Sequence, residues 1–217
     1  MTTPILYFLH GWGYSKDFWQ KTASHLSEHH IILADAGYFA EKTVQLPQSN
    51  YIVIGHSLGF MRLLPKIEAD KNSLGILGIN AFACFVQKED FKEGISPRIL
   101  ALMQRNLSRN PEKTLCDFYK MCGDSKESRP QKRLDLPSLQ QGLEILAQED
   151  QRETFKKLEK TSKILSMLSG KDDPLAPAKK HWLTEQTNIS GGHLLPLTHP
   201  EFCATWIKKH LKLLKSS

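Results

Sequence analysis

Residues 51–60, Tyr51-Ile52-Val53-Ile54-Gly55-His56-Ser57-Leu58-Gly59-Phe60, join a short apolar, β-branched run to the pentapeptide Gly-His-Ser-Leu-Gly. A Gly-x-Ser-x-Gly triplet alone is weak, since chance supplies it in about one chain in fifteen of this length. Its setting is what decides. The run before it reads as a buried strand, and Phe60–Asp70 after it carries a helical pattern, with Pro65 expected to kink or shorten the helix. A serine at such a strand-to-helix turn sits in a strained backbone, and the flanking glycines are required because side chains there would collide with the adjoining strand or helix. A serine hydroxyl is a poor nucleophile by itself and needs a base that is oriented by an acid. The rest of the chain is therefore read for those partners.

Outward from this stretch, short apolar runs recur at Ile5–Leu9, Ile31–Ala34, Leu74–Asn80 and Ile164–Leu168, with a weaker one near Thr187–Ser190. Helical patterns lie between and after them at Lys16–Ser27 and Pro200–Leu214. This alternation predicts an α/β fold with a trimmed, mostly parallel sheet of about six strands. Residues 86–150 break it with helical patterns at Pro97–Leu107, Glu112–Met121 and Leu136–Ala147. The expected organisation is a core from 1–85 and 151–217 and a helical lid insertion at 86–150, above the carboxyl edge of the sheet where open α/β sheets bind ligands.

A second group of candidates follows the first strand. Leu9-His10-Gly11-Trp12-Gly13 is placed to turn main-chain N–H groups toward Ser57. The N–H of Trp12 and the N–H of Leu58, at the start of the helix, are the candidate oxyanion donors. His10 is read as bracing this loop rather than as the base. In this scaffold the chain order is serine, acid, histidine. Asp173, in Ser169-Gly170-Lys171-Asp172-Asp173-Pro174, follows a strand, and His193 lies on a Gly-Gly-His loop before the last helix. The expected triad is Ser57, Asp173 and His193, with Asp172 as the neighbouring alternative for the acid. His25, His29, His30, His181, His199 and His210 are read as surface or capping residues.

Composition excludes several classes. No apolar run approaches the length of a membrane span, and Ile5–Leu9 lacks the basic flank of a signal peptide. Cys84, Cys116, Cys122 and Cys203 show no zinc spacing and are too few for a disulfide scaffold, so reduced thiols and a cytoplasmic setting are expected. No metal or organic cofactor is implied. The net charge of +6 is concentrated between Arg98 and Arg133, where nine basic residues face four acidic ones, a surplus of five. Arg98, Arg105 and Arg109 fall at spacings of seven and four, which aligns them on one helix face. No interleaved aromatics or recognised module point to nucleic acid.

The serine turn, Leu-His-Gly-Trp-Gly with Phe18-Trp19 behind it, the Cys84-Phe85 pair, Gly-Leu-Glu-Ile-Leu at 142–146 and His-Pro-Glu-Phe-Cys at 199–203 together resemble the α/β-hydrolase superfamily over essentially the whole chain. Within it, they are most similar to the pimeloyl-[acyl-carrier protein] methyl ester esterase family of biotin synthesis. The resemblance implies Ser57, Asp173 and His193 as triad and Trp12 and Leu58 as oxyanion donors. It also implies an acyl-carrier protein as the partner that bears the substrate. Because that carrier is acidic, Arg98, Arg105, Arg109, Arg129 and Arg133 become candidate carrier-binding residues. Leu100, Leu102, Met103, Leu107, Phe118 and Met121 become candidates for an acyl channel. Three departures stand out: no antiparallel strands lead the sheet, Asp35-Ala36-Gly37-Tyr38 replaces an Asp-x-Pro-Gly turn, and Phe60 stands where a small residue is usual. A general short-chain carboxylesterase or thioesterase of the same fold, and a non-catalytic hydrolase-fold binding protein, stay open as alternatives.

Overall fold

The computed structural model describes residues 3–124, 133–175 and 186–214. Strands β1 (Ile5–Leu9), β2 (Ile31–Ala34), β3 (Tyr51–His56), β4 (Ser73–Ile79), β5 (Ile164–Gly170) and β6 (Thr187–Ile189) form one sheet in the order β2-β1-β3-β4-β5-β6. Every pairing in it is parallel. All six residues of β3 are buried, which is why this central strand reads as a continuous apolar run rather than an alternation. The edge strand β2 is half-buried over three of its four residues.

Helices are α1 (Gln20–Ser24), α2 (Leu58–Ile67), α3 (Pro97–Arg109), α4 (Pro111–Met121), α5 (Leu136–Gln148), α6 (Arg152–Thr161), α7 (Leu195–Thr198) and α8 (Pro200–Leu214). The Lys16–Ser27 pattern resolves into a 3₁₀ turn at Lys16–Trp19 followed by the short α1. Pro65 lies inside α2, which continues only to Ile67. α6 was not expected. It buries Phe155 and Leu158 and little else, so its apolar stripe is too thin to read as periodicity.

After β1 the chain moves outward to β2, then returns to the other side of β1 to form β3. The strand order therefore reverses between β1 and β3, and the carboxyl ends of strands at such a reversal are where open α/β sheets bind ligands. Leu9 and Gly55 are register partners there, so the segments that leave the sheet at His10 and Ser57 do so side by side. Helices α3, α4 and α5 all lie between β4 and β5. The two ends of that segment are joined where Cys84 bridges Asp150 and the Gln151 N–H donates to Ala83 O at 2.7 Å. Arg152 adds ion pairs to Asp90 and Asp150 at 2.9 and 2.7 Å. The four cysteines are free thiols. No helix among the described residues is long and apolar enough to cross a membrane.

Candidate active site

Ser57 occupies the turn from β3 into α2 with φ 52° and ψ −126°. An L-residue rarely adopts that backbone, and it is a functional signature when the packing enforces it. The packing here leaves no alternative. A Cβ on Gly59 would lie 2.4 Å from the carbonyl oxygens of Leu9 and His10, and one on Gly55 would lie 2.5 Å from Phe60 Cα. Phe60 itself is accommodated because β4 carries Gly78 opposite it, where a Cβ would sit 2.9 Å from the Phe60 ring.

His193 is fully buried on the loop after β6, and its Nδ1 lies 2.8 Å from Asp173 Oδ2. Asp173 is also buried, and its second oxygen accepts the Leu175 N–H at 2.8 Å. Asp172, one residue earlier, is exposed and accepts the Gly191 N–H at 3.1 Å. The other nitrogen of His193, Nε2, is buried and hydrogen-bonded to nothing among the described residues, so it and Ser57 Oγ are not joined in this structure. Such bonds often tighten only when substrate is bound. What brings the two loops together is His56. Its Nε2 lies 2.9 Å from His193 O, and the two rings are 4.8 Å apart between centroids and tilted by 52°. Burial, then the neighbouring His193, holds the His56 pKa well below its ordinary value, which keeps that ring neutral.

The loop after β1 closes the other side. An added Cβ on Gly11 would lie 3.0 Å from Ser57 Cβ, so this backbone passes directly against the serine. The N–H groups of Trp12 and Leu58 have no hydrogen-bond acceptor among the described residues. His10 braces the loop: its Nδ1 donates to Gly11 O at 2.9 Å and its Nε2 accepts the Ala36 N–H at 3.0 Å. Asp35 completes the brace by accepting from Lys16 N–H and Gly37 N–H at 3.0 and 2.9 Å. Burial pushes the Asp35 carboxyl up, but hydrogen bonds, those from the Lys16 and Gly37 N–H groups among them, outweigh it and hold its pKa below the usual carboxylate range. The unusual Asp35-Ala36-Gly37 turn thus ties the loop after β2 to the loop after β1.

α4 and α5 pack over this loop. The Trp12 indole N–H donates to Leu139 O at 2.9 Å, its ring meets Phe118 edge-on at 4.9 Å, and the Tyr119 hydroxyl donates to Gly13 O. Gly142 has no side chain because a Cβ there would lie 2.5 Å from Trp12 Cδ1. Leu100 and Leu107 on α3 and Phe118 on α4 are buried, and Met103 on α3 is half-buried. Leu102 and Met121, expected to line a channel, are instead 49 % and 45 % exposed, on faces turned away from the core. Arg98, Arg105 and Arg109 are exposed on α3 and pair with no described residue. Arg133 is exposed as well; Arg129 lies outside the described residues. No group of His, Cys, Asp and Glu among the described residues is arranged to hold a metal.

Two residues of the site had no sequence signal of their own. His56 was an unassigned position of the pentapeptide. Asn80, just beyond β4, donates from Nδ2 to Asp173 Oδ2 at 2.7 Å. Its only trace in the sequence is an asparagine ending an apolar run, which ordinarily means a turn.

A parallel sheet with a strained serine at the strand-order reversal and a buried histidine–carboxylate pair beside it defines an α/β-hydrolase. No family model matches the sequence. Pimeloyl-[acyl-carrier protein] methyl ester esterase of Legionella pneumophila (strain Corby) is 27 % identical over 238 aligned residues, covering 96 % of this chain and 95 % of that one. The protein of the same name from Proteus mirabilis is 30 % identical over 178 residues, 68 % of this chain and 67 % of that one. Among solved structures, a bromoperoxidase from Bacillus anthracis superposes with a TM-score of 0.80 at 16 % identity, covering 97 % of this chain and 92 % of that chain. Within the α/β-hydrolases, the chain belongs to the pimeloyl-[acyl-carrier protein] methyl ester esterase family, and it is a carboxylic ester hydrolase.

Proposed function

We propose that Ser57, Asp173 and His193 form a catalytic triad that hydrolyses the methyl ester of an acyl chain borne by acyl-carrier protein, the pimeloyl ester of biotin synthesis. The observation that carries the triad is the 2.8 Å bond from His193 Nδ1 to buried Asp173, which leaves Nε2 as the nitrogen able to take a proton. The substrate rests on the relatives' names and on the unpaired arginines of α3.

In this reading His193 Nε2 removes the Ser57 proton as Oγ attacks the ester carbonyl carbon. The negative charge moves to the carbonyl oxygen, where the N–H groups of Trp12 and Leu58 receive it. Such preorganised donors are each worth about 3–4 kcal/mol of barrier in serine hydrolases. The tetrahedral intermediate collapses, the C–O bond to the alcohol breaks, and methanol leaves with the proton from His193. Water then gives its proton to His193 and attacks the acyl-serine, releasing the free acid and restoring Ser57. Asp173 stays ionised throughout and orients the imidazole. Residues 86–150 act as the lid: they hold the Trp12 side chain through Leu139 and carry the exposed Arg98, Arg105, Arg109 and Arg133 as the surface for the acidic carrier. The setting is the cytoplasm, where carrier-bound acyl chains are made.

The test is growth without biotin of a bacterial host lacking its own esterase, with the gene supplied on a plasmid. Restored growth, lost again with Ser57→Ala, is the expected result. Labelling by a fluorophosphonate probe without rescue would leave a general short-chain carboxylesterase or thioesterase. Absence of both would leave a non-catalytic binding protein.

A further inference from the structure

β4 ends at Ile79, and the next residue leaves the sheet in a left-handed conformation, φ 47°. Asparagine is one of the few side chains that adopts this backbone at small cost. Asn80 is fully buried, and its own N–H donates to Leu168 O at 2.8 Å, which fixes it across β5. Its side-chain amide then lies between two acceptors: Asp173 Oδ2 at 2.7 Å and Gly192 O at 3.3 Å. Both neighbours can only accept, so the NH₂ end must face them. The Asn80 carbonyl oxygen, on the other side, has no partner among the described residues.

One amide thus holds the loop of the acid and the residue next to His193 at the same time. Asp173 Oδ2 receives two donors, Asn80 Nδ2 and His193 Nδ1, while Oδ1 receives Leu175 N–H. A carboxylate with donors on both oxygens cannot rotate without breaking one of them. We infer that Asn80 is a positioning residue: it pins the Asp173 carboxylate and the Gly192 carbonyl so that His193 presents Nε2 toward Ser57. This rests on the triad reading above and adds a member that acts through the acid rather than on substrate.

The experiment uses the full chain, a simple aryl ester and three variants. Asn80→Gly keeps the left-handed backbone and removes the amide. Asn80→Asp keeps the shape but places a second carboxylate beside Asp173, so that one of the two must hold a proton. Asp173→Asn is the reference. Misplacing a catalytic group by a fraction of an ångström to an ångström costs up to about a hundredfold. Asn80→Gly is therefore expected to lower kcat about ten- to a hundredfold with little change in KM. The low-field proton resonance of the His193 Nδ1–H should move upfield or disappear. In Asn80→Asp, kcat relative to the unaltered protein should fall further as pH rises and the shared proton is lost. A fall in melting temperature with kcat and the low-field proton unchanged, while Asp173→Asn is inactive, would overturn the role of Asn80 alone. Full activity of Asp173→Asn would overturn the triad, and this inference with it.

Discussion

At Ser57 the chain accepts a backbone that costs an L-residue about 1–3 kcal/mol. The glycines at 55 and 59 are what let β1 and α2 close around it. Because the strain belongs to the packing and not to the hydroxyl, Ser57→Ala should fold normally and lose several orders of magnitude in turnover, as should His193→Ala. More than a few per cent of residual activity on an aryl ester would rule out this nucleophile. The two neighbouring aspartates should separate cleanly. Asp173→Asn removes the buried partner of His193, whereas Asp172→Asn alters an exposed carboxylate, so only the first should cost orders of magnitude; a reversed ranking would reassign the acid. His56 makes a prediction about pH. Its folded pKa is depressed below 6.5, so the unfolded chain binds its proton first as pH falls. Its contribution to stability is full above about pH 6.5 and is lost progressively below, at up to about 1.4 kcal/mol per pH unit. Urea titrations of the unaltered protein and His56→Gln between pH 7 and 5 should show a shallower decline in the variant. The strained turn at Ser57 and the pairing of Asp173 with His193 were legible because each residue carries a local backbone signature, whether elbow, turn or glycine-rich loop. His56 and Asn80 were not, because what they do depends on loops 137 and 93 residues away.

Among the elements, β1, β3, β4 and β5 were legible within a residue or two, since strands buried on both faces must be apolar throughout. α6 was missed for the opposite reason: an exposed helix needs only a thin apolar stripe. Packing between elements was out of reach. The Gly-Leu-Glu-Ile-Leu stretch was a family likeness in the sequence, and the structure gives it a cause. Gly142 is where α5 meets the Trp12 ring, and Trp12 belongs to the loop whose N–H is the proposed oxyanion donor. Gly142→Ala would add a methyl group 2.5 Å from Trp12 Cδ1, so either α5 or the ring has to move. Overpacking of this kind typically costs about 1–3 kcal/mol. A lowered melting temperature together with a fall in kcat on a small ester is expected. Wild-type turnover in Gly142→Ala would show that the loop after β1 does not depend on α5 for its geometry.

Over the whole molecule the charge is uneven. The segment from Arg98 to Arg133 holds five of the six net positive charges, and it is joined to the sheet at the Cys84–Asp150 bridge rather than built into it. Attraction between this surface and an acidic carrier would raise encounter rates and be screened by salt, while a small neutral ester gains nothing from it. Replacing Arg105, Arg109 and Arg133 by Glu should therefore raise KM for an acyl-carrier-protein methyl ester severalfold or more. Turnover of a short p-nitrophenyl ester should stay within about twofold, because none of the three touches Ser57, Asp173 or His193. Added salt should reproduce the same asymmetry in the unaltered enzyme. Equal losses on both substrates would mean that α3 and its neighbours had unfolded, which circular dichroism would show. No loss on the carrier-bound ester would make the basic surplus a solvated face, and the protein a carboxylesterase that does not distinguish a carrier from any other acyl group.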